Sequence, residues 1–134
     1  EENKINYIIN SKKSSLLNNN KDIKLEGDVR LFDLNNKDNT ITSNNAFWNI
    51  DKFEFLLVGD AILNNESINI SSGKAIFNKN KNIIKFFKPV KYRYLNNSSN
   101  LKYKVKADNA YYDLDNKTLL FESTNEQIKS KLTF

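Results

Sequence analysis

Apolar and polar residues alternate along most of this chain with a period of two. In VKADNAYYDLDNKTLLF (105–121) the alternation runs to Tyr112, breaks at DLDN and resumes at Leu119. Period two, with β-branched and aromatic residues between Asn/Asp clusters, predicts strands rather than helices. The stretch recurs. Moved back by 35 residues, Val105, Ala107, Ala110, Tyr112, Leu119 and Phe121 fall on Ile70, Ser72, Ala75, Phe77, Ile84 and Phe86. A further 29 residues back stand Ile41, Ser43, Ala46, Trp48, Phe55 and Leu57, and 32 before those stand Ile9, Ser11, Ser14, Leu16, Ile23 and Leu25. Four units, starting near 9, 41, 70 and 105, share one frame, which predicts a repeat architecture in one domain over residues 1–134.

Each unit reads as a hairpin. Its turn is NIDK (49–52), NKNKN (78–82) or DLDNK (113–117), and Asn and Asp suit such turns because their side chains bond local backbone groups and tolerate left-handed geometry. After each turn the return strand leads into a further short strand: EGDVRLF, VGDAIL or FKPVKYRYL. Pro89, which has no N–H for a ladder bond, predicts a strand start or an edge there.

One face of the hairpins collects Ile41, Trp48, Phe55, Leu57, Ile70, Phe77, Ile84, Phe86, Val105, Tyr112, Leu119 and Phe121, with Ser43, Ala46, Ser72, Ala75, Ala107 and Ala110 in the same phase. Two readings follow. The face fills an ordinary sandwich core, with small residues where two sheets approach closely. Alternatively the small residues keep open a continuous groove for an apolar ligand. Periodicity does not choose between them.

Charge and composition restrict the chemistry. The net charge of +5 is uneven: Lys74 to Lys106 holds nine Lys and Arg93 with no Asp or Glu, leaving −5 on the rest. That basic middle suits either a solvated strand face or an anionic partner: a lipid head group, a membrane surface or nucleic acid. Without Cys or His there are no disulfides, Cys/His zinc sites, thiol nucleophiles or Ser/His/Asp triads. Asp113 and Asp115 occupy turn positions that recur as Asn49/Asp51 and Asn78/Asn80, so they read as turn formers, and neither a catalytic site, a metal site nor a cofactor is expected. No run nears the roughly 20 apolar residues of a membrane span.

The phrases LEGDVRLFD, TSNNAFWNIDKFEFLLVGDA, SGKAIFNKNKNIIKFFKPV and KADNAYYDLDNKTLLFES resemble the OstA-like β-jellyroll family of the lipopolysaccharide-transport bridge, which includes LptA, LptC and the N-terminal domain of LptD. The likeness spans about residues 8 to 123, and the second phrase is most similar to LptC-like members, with LptA-like members next. The resemblance implies an all-β fold, a single open V-shaped jellyroll of stacked hairpins, and a non-enzymatic role. Its apolar interior would hold the acyl chains of lipopolysaccharide or a related glycolipid, formed here by the twelve large residues named above. Phosphates would rest on a cationic rim of Lys85, Lys88, Lys91, Arg93, Lys102 and Lys104.

The same resemblance implies head-to-tail joining with other jellyrolls, or with further copies of this chain, by edge-strand addition. The candidate edges are Tyr7 to Ile9 and Gln127 to Phe134. It implies a periplasmic location, and a chain opening at Glu1 is compatible with a trimmed signal peptide or membrane anchor. The competing readings are a structural β-repeat scaffold and a single-stranded nucleic-acid binder, the latter from Phe86, Phe87, Tyr92, Tyr94 and Tyr103 interleaved with Lys and Arg.

Overall fold

A computed structural model describes residues 7–33, 39–65, 68–95, 101–123 and 129–133, with side chains up to Arg93 and again over 107–123. Among the described residues ten strands run in chain order: β1 (Tyr7–Asn10), β2 (Lys13–Leu17), β3 (Asp22–Asp33), β4 (Thr40–Asn49), β5 (Glu54–Asn64), β6 (Ile68–Asn78), β7 (Ile83–Leu95), β8 (Leu101–Asp113), β9 (Thr118–Glu122) and β10 (Lys129–Thr133). All join one antiparallel sheet in the order β1-β3-β4-β5-β6-β7-β8-β9-β10, with β2 beside β1's partner β3. The result is all-β, as the alternation predicts, and an open jellyroll, as the resemblance implies.

Every long strand bends once near its middle. On β4, β6 and β8 the inward phase advances by three residues, from Ser43 to Ala46, Ser72 to Ala75 and Ala107 to Ala110. On β5 and β7 it advances by four, from Leu57 to Ala61 and Phe86 to Val90. The register shifts coincide, falling between Glu26 and Val29, Val58 and Ala61, and Phe87 and Val90. These bulges are corners. They fold the sheet into two facing leaves, named here by the short strand each carries at its edge. The β2 leaf contains residues 22–26, 45–49, 54–58, 74–78, 83–87, 109–113 and β9. The β1 leaf contains 29–33, 40–43, 61–64, 68–72, 90–95 and 101–107.

The corners explain the glycines and the small residues. Gly27-Asp28 and Gly59-Asp60 have φ of +82°/+47° and +83°/+49°, values that suit Gly and tax Asp. A Cβ on Gly59 would lie 2.7 Å from the Asn44 Nδ2. Ser43 and Ser72 donate Oγ hydrogen bonds to the carbonyls of Asn45 and Lys74, at 2.9 and 2.7 Å, across the bend. On β4, β6 and β8 the inward residues on both sides of the bend are Ser or Ala, and the large Leu57 and Phe86 of β5 and β7 pack between them.

Two expectations change. The return strand and the short strand after it are one continuous bent strand, because the bulge absorbs the extra residue without ending the ladder. Pro89 lies inside the central strand β7, after a cis Lys88-Pro89 bond, at the bulge where the ladder asks for no N–H from it. The first unit differs from the rest: its leading strand is severed at the corner, giving β1 and β2, which pair separately with the two halves of β3.

The predicted turns are as the Asn/Asp spacing implies. The Lys52 and Lys81 amides donate to the Asn49 and Asn78 Oδ1 atoms at 2.8 and 2.9 Å. The Asp115 and Asn116 amides donate to Asp113 Oδ1, both at 3.0 Å. Asp113 is thus a turn former. Each of these turns closes on a residue with positive φ: Phe53, Asn82 and Lys117.

Candidate functional site

The interior between the leaves is built from rows of cross-strand partners. In the β2 leaf, Leu25, Ala46, Leu57, Ala75, Phe86, Ala110 and Phe121 succeed one another across seven strands, large alternating with small. The next row, toward the Asn/Asp turns, is uniformly large: Ile23, Trp48, Phe55, Phe77, Ile84, Tyr112 and Leu119. Opposite them the β1 leaf aligns Leu31, Ile41, Leu63, Ile70 and Tyr92, followed by Val105 in register. All the predicted interior residues therefore share one face, although Val105 is placed by backbone register alone.

Ring contacts show that the leaves meet. Tyr7 on β1 packs edge-on against Phe77 at 5.2 Å, and Tyr92 lies 5.4 Å from Phe121; each pair spans the two leaves. Along the β2 leaf Trp48 stacks on Phe55 at 5.2 Å and Phe55 on Phe77 at 5.9 Å. Through the middle of the interior Phe55, Leu57, Ile70, Phe77, Ile84, Phe86 and Leu119 are all but inaccessible to solvent. The interior there is packed.

At the β2 edge the packing ends. Leu16 belongs to the same row as Ile23 and Trp48 and faces the same side, yet it is 60% exposed. Ile23 and Trp48 are only half-buried. The Trp48 Nε1 is shielded from solvent and has no hydrogen-bond partner among the described residues. Among the described residues the apolar interior therefore ends at a partly exposed edge beside β2, its mouth, with Leu16, Ile23 and Trp48 as the lip.

Polar residues tie the leaves together at the turn end. Tyr7 donates from its hydroxyl to the Asn82 Oδ1 at 2.9 Å, across 75 residues of chain. The Asn82 Nδ2 donates to the Asp115 Oδ1 at 2.7 Å, and the Leu114 amide to the Asn82 carbonyl at 2.9 Å. Burial, with lesser contributions from Asp33 and Asp115, holds the Tyr7 phenol well above its ordinary range. Burial also raises Tyr112, an effect partly offset by a hydrogen bond with Asn65. Sequence reading singled out Tyr7 only as part of an edge strand; no local signal joins it to Asn82.

The cationic residues do not line this interior. Lys85, Lys91 and Arg93 alternate with buried Ile84, Phe86, Val90 and Tyr92, so they face outward, Lys85 on the β2 leaf and the other two on the β1 leaf. Lys88 is exposed at the corner between them. The side chains of Lys102 and Lys104 lie outside the described residues. The Lys85 Nζ sits 4.8 Å from the Phe87 ring and 5.5 Å from Tyr111, with the Lys74 Nζ 4.9 Å from Phe87. Phe86 and Tyr92 are fully buried, so neither offers the stacking surface that single-stranded nucleic acid needs. Both terminal strands are sheet edges, as expected for the stretches around Tyr7 and Lys129; Gln127, Ile128 and Phe134 lie outside the described residues.

No family model and no curated protein matches this chain. Among solved structures, it is similar to LptH of Pseudomonas aeruginosa, described as the LptA-homologous periplasmic component of the conserved lipopolysaccharide transport device, with a TM-score of 0.71 and 10% identity over 97% of this chain and 96% of that one. At that identity the likeness is one of fold: both chains are β-jellyrolls over nearly their whole length.

Proposed function

We propose that this protein is a periplasmic bridge component of lipopolysaccharide transport, LptC-like in the phrasing of its second unit, that carries acyl chains between its two leaves. The observation that carries this reading is the apolar interior, continuous across seven strands and partly exposed at the β2 edge, within a fold shared with a transport-device protein. The packed middle makes the mouth the loading point. An acyl chain that covers Leu16, Ile23 and Trp48 removes apolar surface from water at about 25 cal/mol per Å², and parting the leaves extends the same contact inward. Rows of similar side chains give many equivalent weak positions, which favours sliding over trapping. No step makes or breaks a covalent bond.

The same geometry supports end-to-end assembly. Among the described residues β1 and β10 end the sheet with no strand on their outer sides, which suits strand addition by another jellyroll or a second copy. Such a neighbour at the β1/β2 edge would also cover the mouth, so the lipid would pass from one interior to the next.

Trp48 is the only Trp and stands at the mouth. Titration with lipid A or a short-chain lipopolysaccharide is expected to shift its emission to the blue and to protect it from acrylamide quenching. Saturable change with acylated ligand, and none with the deacylated saccharide, supports the reading; an equal response to both would overturn it.

A further inference from the structure

The two leaves differ on their outer faces, and the β1 leaf carries an uncommon one. Following the register outward from β1, one row reads Asn10, Arg30, Thr42, Ile62, Ser71, Lys91 and Lys106. The adjacent row reads Ile8, Phe32, Thr40, Asn64, Asn69, Arg93 and Lys104. Neither row contains an acidic residue. Among the described residues, carboxylates stand at the corner: Asp28, ion-paired with the Lys12 Nζ at 3.3 Å, Asp60, and Asp108 at the bulge of β8.

Moreover the cations are set against one another. Lys91 is the cross-strand partner of Lys106, and Arg93 of Lys104. Like charges placed directly opposite weaken a sheet, and alternating signs along the strands would have removed the cost. Arg93 instead donates to the neutral Asn69 Oδ1 at 3.2 Å. Between the cations lie hydroxyls and amides, and two shallow depressions, about 280 and 250 Å³, reach the corner: Arg30 and Thr42 line one with Asp28 and Asp60, and Ser71 and Lys91 line the other with Asp60.

We infer that the outer face of the β1 leaf docks the domain on an anionic phospholipid surface. Arg30 on β3 and Lys91 and Arg93 on β7 stand about 19 Å apart across the sheet, at about 4.8 Å per strand, with Lys104 and Lys106 one strand further by backbone register, rather than gathered round one pocket. That spacing suits a plane of phosphates. Ile8, 45% exposed at the edge strand, and half-buried Phe32 add apolar contact at the head-group level, as on peripheral membrane proteins. The β2 leaf does not suit the same partner, because Asp22, Glu54 and Asp113 form a carboxylate row across its outer side beside the turns. This inference is independent of acyl-chain binding in the interior, which uses the opposite side of the same strands.

The test is co-sedimentation of the full chain with vesicles of phosphatidylcholine alone or with a third phosphatidylglycerol. Binding is expected only to the anionic vesicles and to weaken steeply with added salt. At about fivefold per cation, the K91Q/R93Q variant is expected to bind roughly thirtyfold more weakly. K74Q/K85Q, an equal loss of charge from the other leaf, is expected to stay within about threefold of the parent, since its cations lie away from the membrane. Trp48→Ala, at the mouth, is expected to leave vesicle binding unchanged whether or not lipopolysaccharide binding survives. Equal losses in the two double variants would overturn the inference. So would equal binding to phosphatidylcholine vesicles, or competition by a single-stranded oligonucleotide as strong as by anionic vesicles at equal phosphate. Unchanged denaturation midpoints of both variants establish that folding is not the cause.

Discussion

The β2 leaf and the β1 leaf are alike inside and unlike outside. Their inner rows are the same strands continued through a corner, and both are filled with Ile, Leu, Phe and Tyr held out of solvent. Outside, the β2 leaf mixes exposed Phe47 and Val58 with lysines over aromatic rings and a row of carboxylates, whereas the two outer rows of the β1 leaf are cationic and hydroxylic, with carboxylates only at the corner. Packing between the leaves dictates one set of alternate positions and leaves the other free. What occupies the free set is therefore the better guide to partners.

This contrast predicts graded effects. Inside, Phe77→Ala in the β2 leaf and Ile70→Ala in the β1 leaf should each cost about 2–5 kcal/mol in urea unfolding, because both are fully buried and leave cavities. Outside, Phe47→Ala and Thr42→Ala should cost less than about 1 kcal/mol. A large loss on an outer position, or a small one on an inner, would break the equivalence of the two inner faces.

Corner positions come next. Ala75 is fully buried beside the bend of β6, and Ala75→Leu should destabilise by about 1–3 kcal/mol through overpacking. If the small residues instead kept a roomy channel open, the added side chain would be tolerated, and the midpoint would stay where it is or rise.

Tyr7 links the leaves, and its effect is smaller and depends on pH. Tyr7→Phe removes the hydrogen bond to Asn82 and should cost about 1 kcal/mol at pH 7. Since the folded phenol is held above its ordinary value of 10.0, folding keeps a proton that the unfolded chain releases. The stabilisation is complete below pH 10 and declines as pH rises further. Wild-type stability should consequently fall more steeply than that of Tyr7→Phe between pH 10 and 11.5, measured by urea midpoints. Parallel curves would show that the phenol does not titrate as its burial requires.

The sequence carried the inner face well. Alternation and the Asx turns at Asn49, Asn78 and Asp113 are local properties legible within some 15 residues, and the repeated frame is legible by shifts of 29 to 35 residues. The corners were half legible: the pairs Ser43/Ala46 and Ser72/Ala75 marked something small, while the three-residue step that makes them flank a bend emerges only with the register. Leu16 fits the apolar frame, yet its exposure follows from its place on an edge strand beyond the cover of the other leaf. The outer rows were least legible. Asn10 and Lys106 are far apart in the chain and reach one row only through six successive pairings, so the basic run alone could not divide itself into Lys85 on one leaf and Lys91 and Arg93 on the other.

The central claim is that lipid acyl chains meet the inner side of the strands. Phe47 and Trp48 are neighbours in sequence on opposite sides of β4, one exposed outside and one at the mouth. A photo-crosslinking residue placed at 48 and, separately, at 47 tests the claim most directly in the presence of acylated lipopolysaccharide. Capture at 48 with little at 47 is the predicted result; capture at 47 in preference to 48 would contradict it.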